Sequence, residues 1–210
     1  MRLILLAAAA LVATPLIAQQ ASQFPGQKNA SFVTGGAYTA DPGHTLISWE
    51  VDHIGFTPYF GLFGDITGTL NLDPKKPTAA TVDITIPVSK VITTSGGLNA
   101  HLLREGKDGG KPDFFGPAPA DAHFVSTSVK PTGTDKALVT GNLTLNGVTK
   151  PVTLDVAFYG AGKMPATMGG KETVGFEATT TVTRSQFGIN GALPVVSDAV
   201  KLKIAAAFVK

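Results

Sequence analysis

The chain has 210 residues, 43% of them hydrophobic and 15% charged, with 17 Lys and Arg against 15 Asp and Glu and no cysteine. That near-balance argues against a nucleic-acid binder, which carries a strongly basic face. Without cysteine there are no disulfides and no thiolate metal ligands, so stability has to come from an apolar core, and a chain of this length can bury one.

The chain opens with MRLILLAAAALVATPLIAQQ, in which Arg2 precedes an uncharged apolar run from Leu3 to Ala13. This reads as a secretory signal peptide, residues 1–18, with cleavage expected after Ala18. The run is shorter than the roughly 20 residues that span a bilayer, and no second one follows, so the mature chain is expected to hold no integral membrane segment. Losing Arg2 leaves 16 basic and 15 acidic residues. Residues 19–36 are rich in Gln, Ser, Pro and Gly without periodicity and read as a flexible leader, which puts the folded domain at 37–210.

From there the signal is alternation, the mark of half-buried strands. ISWEVDHIGF sets Ile47, Trp49, Val51 and His53 on one face; DITGTLNL does so for Ile66, Gly68, Leu70 and Leu72, and TVDITIPV for Val82, Ile84, Ile86 and Val88. One short helix fits around Leu98 to Arg104, and the Gly-, Pro- and charge-rich stretch Arg104 to Asp121 reads as a long surface loop. After HFVSTSV, the segment GNLTLNGVTKPVTLDVAF alternates into Asn146-Gly147 and out through Val152, Leu154, Val156 and Phe158. Asn-Gly between such runs signals a tight hairpin, because both residues tolerate the positive φ that the turn demands. VGFEATTTVTR groups Val174, Phe176, Ala178 and Val182, and VKLKIAAAF groups Val200, Leu202, Ile204, Ala206 and Phe208.

About eight one-sided strands and one helix fit a closed antiparallel barrel or a sandwich. At eight strands a barrel interior is either filled by side chains or holds one small ligand. The inward small residues Gly68, Ala178 and Ala206 lean toward unfilled space, although small residues also pack against large ones across a core.

Chemistry is sparse. The four histidines, His44, His53, His101 and His123, show no close paired spacing, so a metal site would need ligands from distant strands. There is no G-x-S-x-G, and Gly96-Gly97 and Gly109-Gly110 lack the strand-to-helix setting of a phosphate cradle. His53 has two readings: a neutral core histidine with one hydrogen bond, or a polar point that orients a ligand head group in an apolar cavity. Arg184 continues the inward phase of Val182 but falls at the strand's end, where a rim arginine keeps its guanidinium in water.

YTADPGHTLISWEVDHIGF, FGDITGTLNLDPKKPTAATVDITI, AHFVSTSV, GNLTLNGVTKPVTLDVAF and RSQFGI together resemble the YceI-like family, over about Tyr38 to Phe208. The resemblance implies an all-β fold, a lipocalin-like eight-stranded antiparallel barrel with a short helix and an apolar tunnel for a polyisoprenoid or related amphiphilic lipid. It also implies periplasmic residence, no catalytic role and no cofactor beyond a bound polyisoprenoid such as a quinone or polyprenyl phosphate. His53 matches the family's histidine after the first strand, Arg184 and Phe187 fall in the RSQFGI motif, and His101 and Leu102 match the end of the short helix. LREGKDGGKPDFFG departs from the family pattern and bears on the shape of one tunnel mouth. The expected ligand contacts are Trp49, Val51, Ile84, Ile86, Leu154, Val156, Phe176, Leu202 and Ile204 along the tail, with His53, Arg184 and Phe187 in the motif positions. A tail of about 40 carbons, at about 0.3 kcal/mol per heavy atom, would gain at most about 12 kcal/mol. Two copies sharing an apolar rim, a homodimer, would lengthen such a tunnel. The competing readings are an enzyme acting on a small amphiphile with His53 as general base, and a filled structural barrel.

Overall fold

The computed structural model describes residues 24–210; the expected signal peptide and the first residues after its cleavage point lie outside them. The strands are β1 (Gly36–Ala40), β2 (Leu46–His53), β3 (Thr57–Phe63), β4 (Thr67–Leu72), β5 (Thr81–Ile86), β6 (Ala122–Pro131), β7 (Lys136–Leu145), β8 (Val148–Lys163), β9 (Glu172–Thr183) and β10 (Ala199–Val209), with one α-helix, α1 (Gly96–Leu102). These ten segments make eight staves. β1 and β2 lie end to end along one edge of β10, and β3 and β4 lie end to end beside them. Each stave runs antiparallel to its neighbours in sequence, and β10 returns to β1 and β2, so the sheet closes into the expected lipocalin-like barrel.

Local chemistry explains the joints. Asn146 and Gly147 take φ of 51° and 74°, and Leu145 pairs with Val148 across them, as a two-residue hairpin requires. The gap between β1 and β2 is stitched by Thr45, whose buried hydroxyl donates to Ala207 O at 3.0 Å and accepts from Ala207 N at 3.1 Å. One side chain thus replaces a missing rung of the ladder with β10. Helix α1 begins two residues earlier than expected because Ser95 caps it, its Oγ accepting from Leu98 N at 3.2 Å. At its end Leu102 O accepts from Phe115 N at 3.0 Å.

The interior divides along the barrel axis. At the end carrying Tyr38, Val174 and Phe208 a second cluster packs, with the partly buried Phe158 and Phe176 meeting one another and Phe208 in successive edge-to-face contacts at 5.9 and 6.4 Å. Of the small residues expected to mark empty space, Gly68 and Ala178 belong to packing, while Ala206 is only partly buried. A Cβ on Gly68 would stand 2.1 Å from Asp83 O, so this glycine lets β4 and β5 approach, while Ala178 and Ala206 pair across from Ile204 and Phe176. The described part of the expected flexible leader is docked on this end as well. Gln27 exchanges both backbone hydrogen bonds with Ala161 at 3.0 and 2.9 Å, and Val33 is buried. Gly162 permits the approach, since a Cβ there would lie 2.0 Å from Pro25 O.

The seam between chain start and chain end is polar. Glu172 accepts from Tyr38 Oη at 2.5 Å and from Thr34 N and Oγ1 at 2.9 and 2.7 Å, while Lys210 Nζ donates to Thr34 Oγ1 at 3.1 Å and to Gly35 O. Burial alone would raise the Glu172 carboxyl; the hydrogen bonds from Tyr38 and Thr34 outweigh it and hold the group below its ordinary value. A depressed folded value means stability that is complete above the unfolded value and lost as pH falls through the folded one. Glu172→Ala is expected to cost about 2 kcal/mol in urea unfolding at pH 7, since Tyr38 is 1% exposed and its hydroxyl loses an ionised acceptor. In the same assay, the stability gap between wild type and Glu172→Gln should narrow as pH drops below 4.5, the ordinary glutamate value.

Candidate functional site

The other end of the barrel is hollow. A cavity of about 290 Å³ is walled by Trp49 and Val51 on β2, Tyr59 and Phe63 on β3, Leu98 and Leu102 on α1, Val200 and Leu202 on β10, and the side chains of Phe114 and Phe115. Ile86, Leu143, Val182 and Ile189 complete much of the remaining wall. Its ionisable side chains are His53, Tyr59, His101 and Arg184, among a lining that is otherwise almost wholly apolar.

Of the twelve residues expected to contact a ligand, Trp49, Val51, His53, Ile86, Arg184 and Leu202 line this cavity. Ile84, Leu154, Val156 and Ile204 stand deeper in the barrel, partly buried beside the main core cluster, Phe176 is partly buried beside the second cluster, and Phe187 is buried within the main one. Alternation identifies the inward face of a strand but carries no information about depth along the barrel axis. Val182, Val200, Leu143 and Leu145 were visible in the same alternating runs and do line the cavity. Phe114 and Phe115 lay within the stretch read as a surface loop.

His53 is exposed at the end of β2, its ring 6.1 Å from that of Tyr59. A packed core histidine is therefore excluded, and among the described residues no side chain hydrogen-bonds its ring. It stands where the cavity meets the surface, next to a rim on which Ile54 N donates to Val195 O at 2.9 Å and Ile54, Phe56 and Val195 expose apolar side chains. The other histidines are dispersed, each beside its own carboxylate: His44 with Asp41, His101 with Asp113 and His123 with Asp83. Trp49 lies flat over Gly61, where a Cβ would come within 2.1 Å of the indole; its buried Nε1 has no acceptor among the described residues.

Arg184 corrects the rim reading. It is 5% exposed, not in water. Its Nε donates to Ser197 O at 2.9 Å, Nη1 to Ile189 O and Gly191 O at 3.0 and 2.8 Å, and Nη2 to Val196 O at 2.9 Å. Four carbonyls of the 189–197 segment thus converge on one guanidinium, whose planar fork suits several acceptors at once. Burial lowers its pKa and the nearby charge of Asp198 partly restores it, and an arginine so placed stays cationic. The Asp198 carboxylate itself is engaged by Ser185 Oγ at 2.6 Å and Ser185 N at 2.8 Å, which hold its pKa low.

Most of the stretch after α1 is exposed, as expected of a surface loop, but residues 113–116 turn inward and are pinned over the cavity. Asp113 Oδ2 accepts from Arg104 Nη2 at 2.8 Å and lies 2.8 Å from His101 Nε2, and Asp113 O accepts from Gly191 N at 2.8 Å. Hydrogen bonding from Arg104, then His101, holds the Asp113 carboxyl below its ordinary value. The neighbouring Phe114 meets the His101 ring edge-on at 5.2 Å, and Phe115 meets Phe63 at 6.0 Å.

Because the four carbonyls held by Arg184 would lose their donor together, Arg184→Met is expected to destabilise the barrel by about 3 kcal/mol or more in urea unfolding. Arg184→Lys should recover less than half of that, since an ammonium cannot reproduce the fork.

The architecture has counterparts among known proteins. Residues 38–208 match the model of the YceI-like domain. Protein YceI of Salmonella arizonae is 37% identical over 180 residues, which span 82% of this chain and 88% of that protein. Among solved structures, Burkholderia cenocepacia BcnA superposes with a TM-score of 0.63 at 24% identity, covering 80% of this chain and 98% of that one. A polyisoprenoid binding domain from Saccharophagus degradans, implicated in plant cell wall breakdown, superposes with a TM-score of 0.57 at 13% identity, covering 82% of this chain and 97% of that one. At such identities the two superpositions speak for the fold, while the match over residues 38–208 and the Salmonella relative fix the family: the chain belongs to the YceI-like domain family.

Proposed function

We propose that this chain binds an amphiphilic lipid, with an apolar tail in the cavity and a polar head at the opening beside His53, and serves as an exported carrier or sequestering protein in the periplasm. The observation that carries the reading is the cavity: about 290 Å³ of space with nearly all of its wall apolar and its exposed polar side chain, His53, at the opening. Apolar space of this kind inside a barrel costs stability unless something occupies it. Apolar pockets with a few convergent polar groups are the usual form of a small-molecule site. The polyisoprenoid binding reported for the Saccharophagus domain of the same fold is consistent with this choice of ligand class. Export rests on the signal-like residues 1–18, and among the described residues no helix is long and apolar enough to cross a membrane.

Binding accounts for the site better than turnover does. A general base needs a group that orients it toward its substrate. The His53 ring has no such partner among the described residues, while His101, which does, is tied to Asp113 and Arg104 in a structural clamp.

A neutral apolar dye, N-phenyl-1-naphthylamine, tests the reading. Its fluorescence should rise on addition of the mature protein and fall when geraniol competes. Ile86→Trp, which places an indole where a buried wall residue now stands, should weaken dye binding at least tenfold. Tyr159→Trp, at an exposed position on the outside of the barrel, should change binding far less. Dye bound equally well by wild type and the folded Ile86→Trp protein would remove the cavity as the site.

A further inference from the structure

We propose that the tip of the β2–β3 hairpin, together with Val195 beside it, is an anchor that inserts into a lipid bilayer and sets the cavity opening against the membrane. The inference rests on the binding reading above and adds the surface with which the ligand is exchanged. Phe56 is 85% exposed, Val195 55% and Ile54 48%, and all three stand on the rim beside His53, which bridges to Val196. An aromatic ring so bare at the apex of a turn contributes nothing to the core.

The turn holds these side chains out. Ile54 and Gly55 take φ of 64° and 70°, and Phe56 N donates to His53 O at 3.2 Å. The hairpin at Asn146-Gly147 has the same pair of positive φ angles and puts asparagine first, the residue such a turn favours. A β-branched residue in the left-handed region is strained, and Ile54, half in water, recovers little of that by packing. The tip is nonetheless ordered: Ile54 N donates to Val195 O at 2.9 Å, Ser197 N to Asp52 O at 3.0 Å, and Asp52 N to Ser197 Oγ at 3.0 Å. Apolar side chains on a preformed frame spare the entropy of ordering them on contact.

Charge and area select the partner. Residues 53–57 and 189–197 contain no Lys, Arg, Asp or Glu, and His53 is their sole ionisable side chain. The exposed stretch after α1 balances Arg104, Lys107 and Lys111 against Glu105, Asp108 and Asp113. An uncharged apolar tip matches the boundary between head groups and acyl chains, into which an amphipathic element sinks about 5–10 Å. Phe60 and Leu62, also exposed, lie about 13 Å and more down β3, below that depth. The three tip side chains offer on the order of a few hundred Å². That is well short of the roughly 800 Å² a side that a stable protein complex buries.

The test is flotation of the mature protein with phosphatidylcholine vesicles at low and high salt. Wild type is expected to float, with partitioning changed less than about twofold by salt, since no cation at the tip contributes. Ile54→Asn with Phe56→Ser should lower partitioning about tenfold or more. That variant should fold, because asparagine suits the left-handed position. The chain holds no cysteine, so Phe56→Cys and Tyr159→Cys each take a single nitrobenzoxadiazole label. Vesicles should brighten the label at the tip about threefold and leave the one at Tyr159, exposed on the outside of the barrel, unchanged. Wild type that binds N-phenyl-1-naphthylamine but does not float overturns the anchor and leaves the lipid site standing. A doubly substituted protein that floats as well as wild type removes the tip from that role. If wild type stays off vesicles and sediments as a dimer that the double substitution dissolves, a second copy covers the tip and the membrane reading fails. Flotation without dye binding upholds the anchor and overturns the cavity reading alone.

Discussion

Everything in this molecule depends on closing the sheet. Eight staves satisfy one another's backbone groups only when β10 finds partners for its free edge, and it finds them in two pieces, β1 below and β2 above. The hydroxyl of Thr45 fills the missing rung between them, and the Tyr38, Glu172, Thr34 and Lys210 network fastens the lower seam. Closure removes exposed edges and at the same time fixes an interior of set width. The sequence then decides how much of that interior is filled, and at the upper end it leaves an open apolar cavity.

The two ends show how similar residues reach different outcomes. At the lower end, aromatic rings from β8, β9 and β10 meet edge to face inside the barrel. At the upper end the strands supply Trp49, Tyr59 and Phe63 beside aliphatic residues, and the closing elements are α1, the Phe114-Phe115 segment and the 189–197 segment. These last two lack the backbone ladder of the barrel, so side chains organise them: Asp113 gathers Arg104 and His101, and Arg184 gathers four carbonyls. A buried guanidinium with all those acceptors is a structural staple, which leaves, among the described residues, the exposed His53 at the opening and the unpaired indole Nε1 of Trp49 in the wall to meet a ligand.

Strand faces, the Asn146-Gly147 hairpin and the eight-staved closure were legible because a period of two and a positive-φ turn are local properties of the residues involved. Depth was not. Ile84 and Ile86 share one strand and one face, yet Ile86 lines the upper cavity while Ile84 stands deeper, between the two core clusters, because height along the axis depends on strand tilt and on partners far away in sequence. Arg184 was misread as a rim arginine because its acceptors are main-chain carbonyls of residues 189–197, which no residue type announces. Phe114 and Phe115 were hidden among glycines, prolines and charges that suit an exposed loop; what turns them inward is the clamp on Asp113, assembled from α1 and Gly191.

The central claim is that the hollow end of the barrel is a lipid site. Native mass spectrometry of the protein purified from its exporting host, followed by organic extraction, tests it most directly. The account predicts one equivalent of an amphiphile with an apolar tail, retained under gentle ionisation and released by solvent. A protein that emerges without bound lipid and takes up neither prenyl alcohols nor quinones of any length would contradict it, and would make the barrel a structural one.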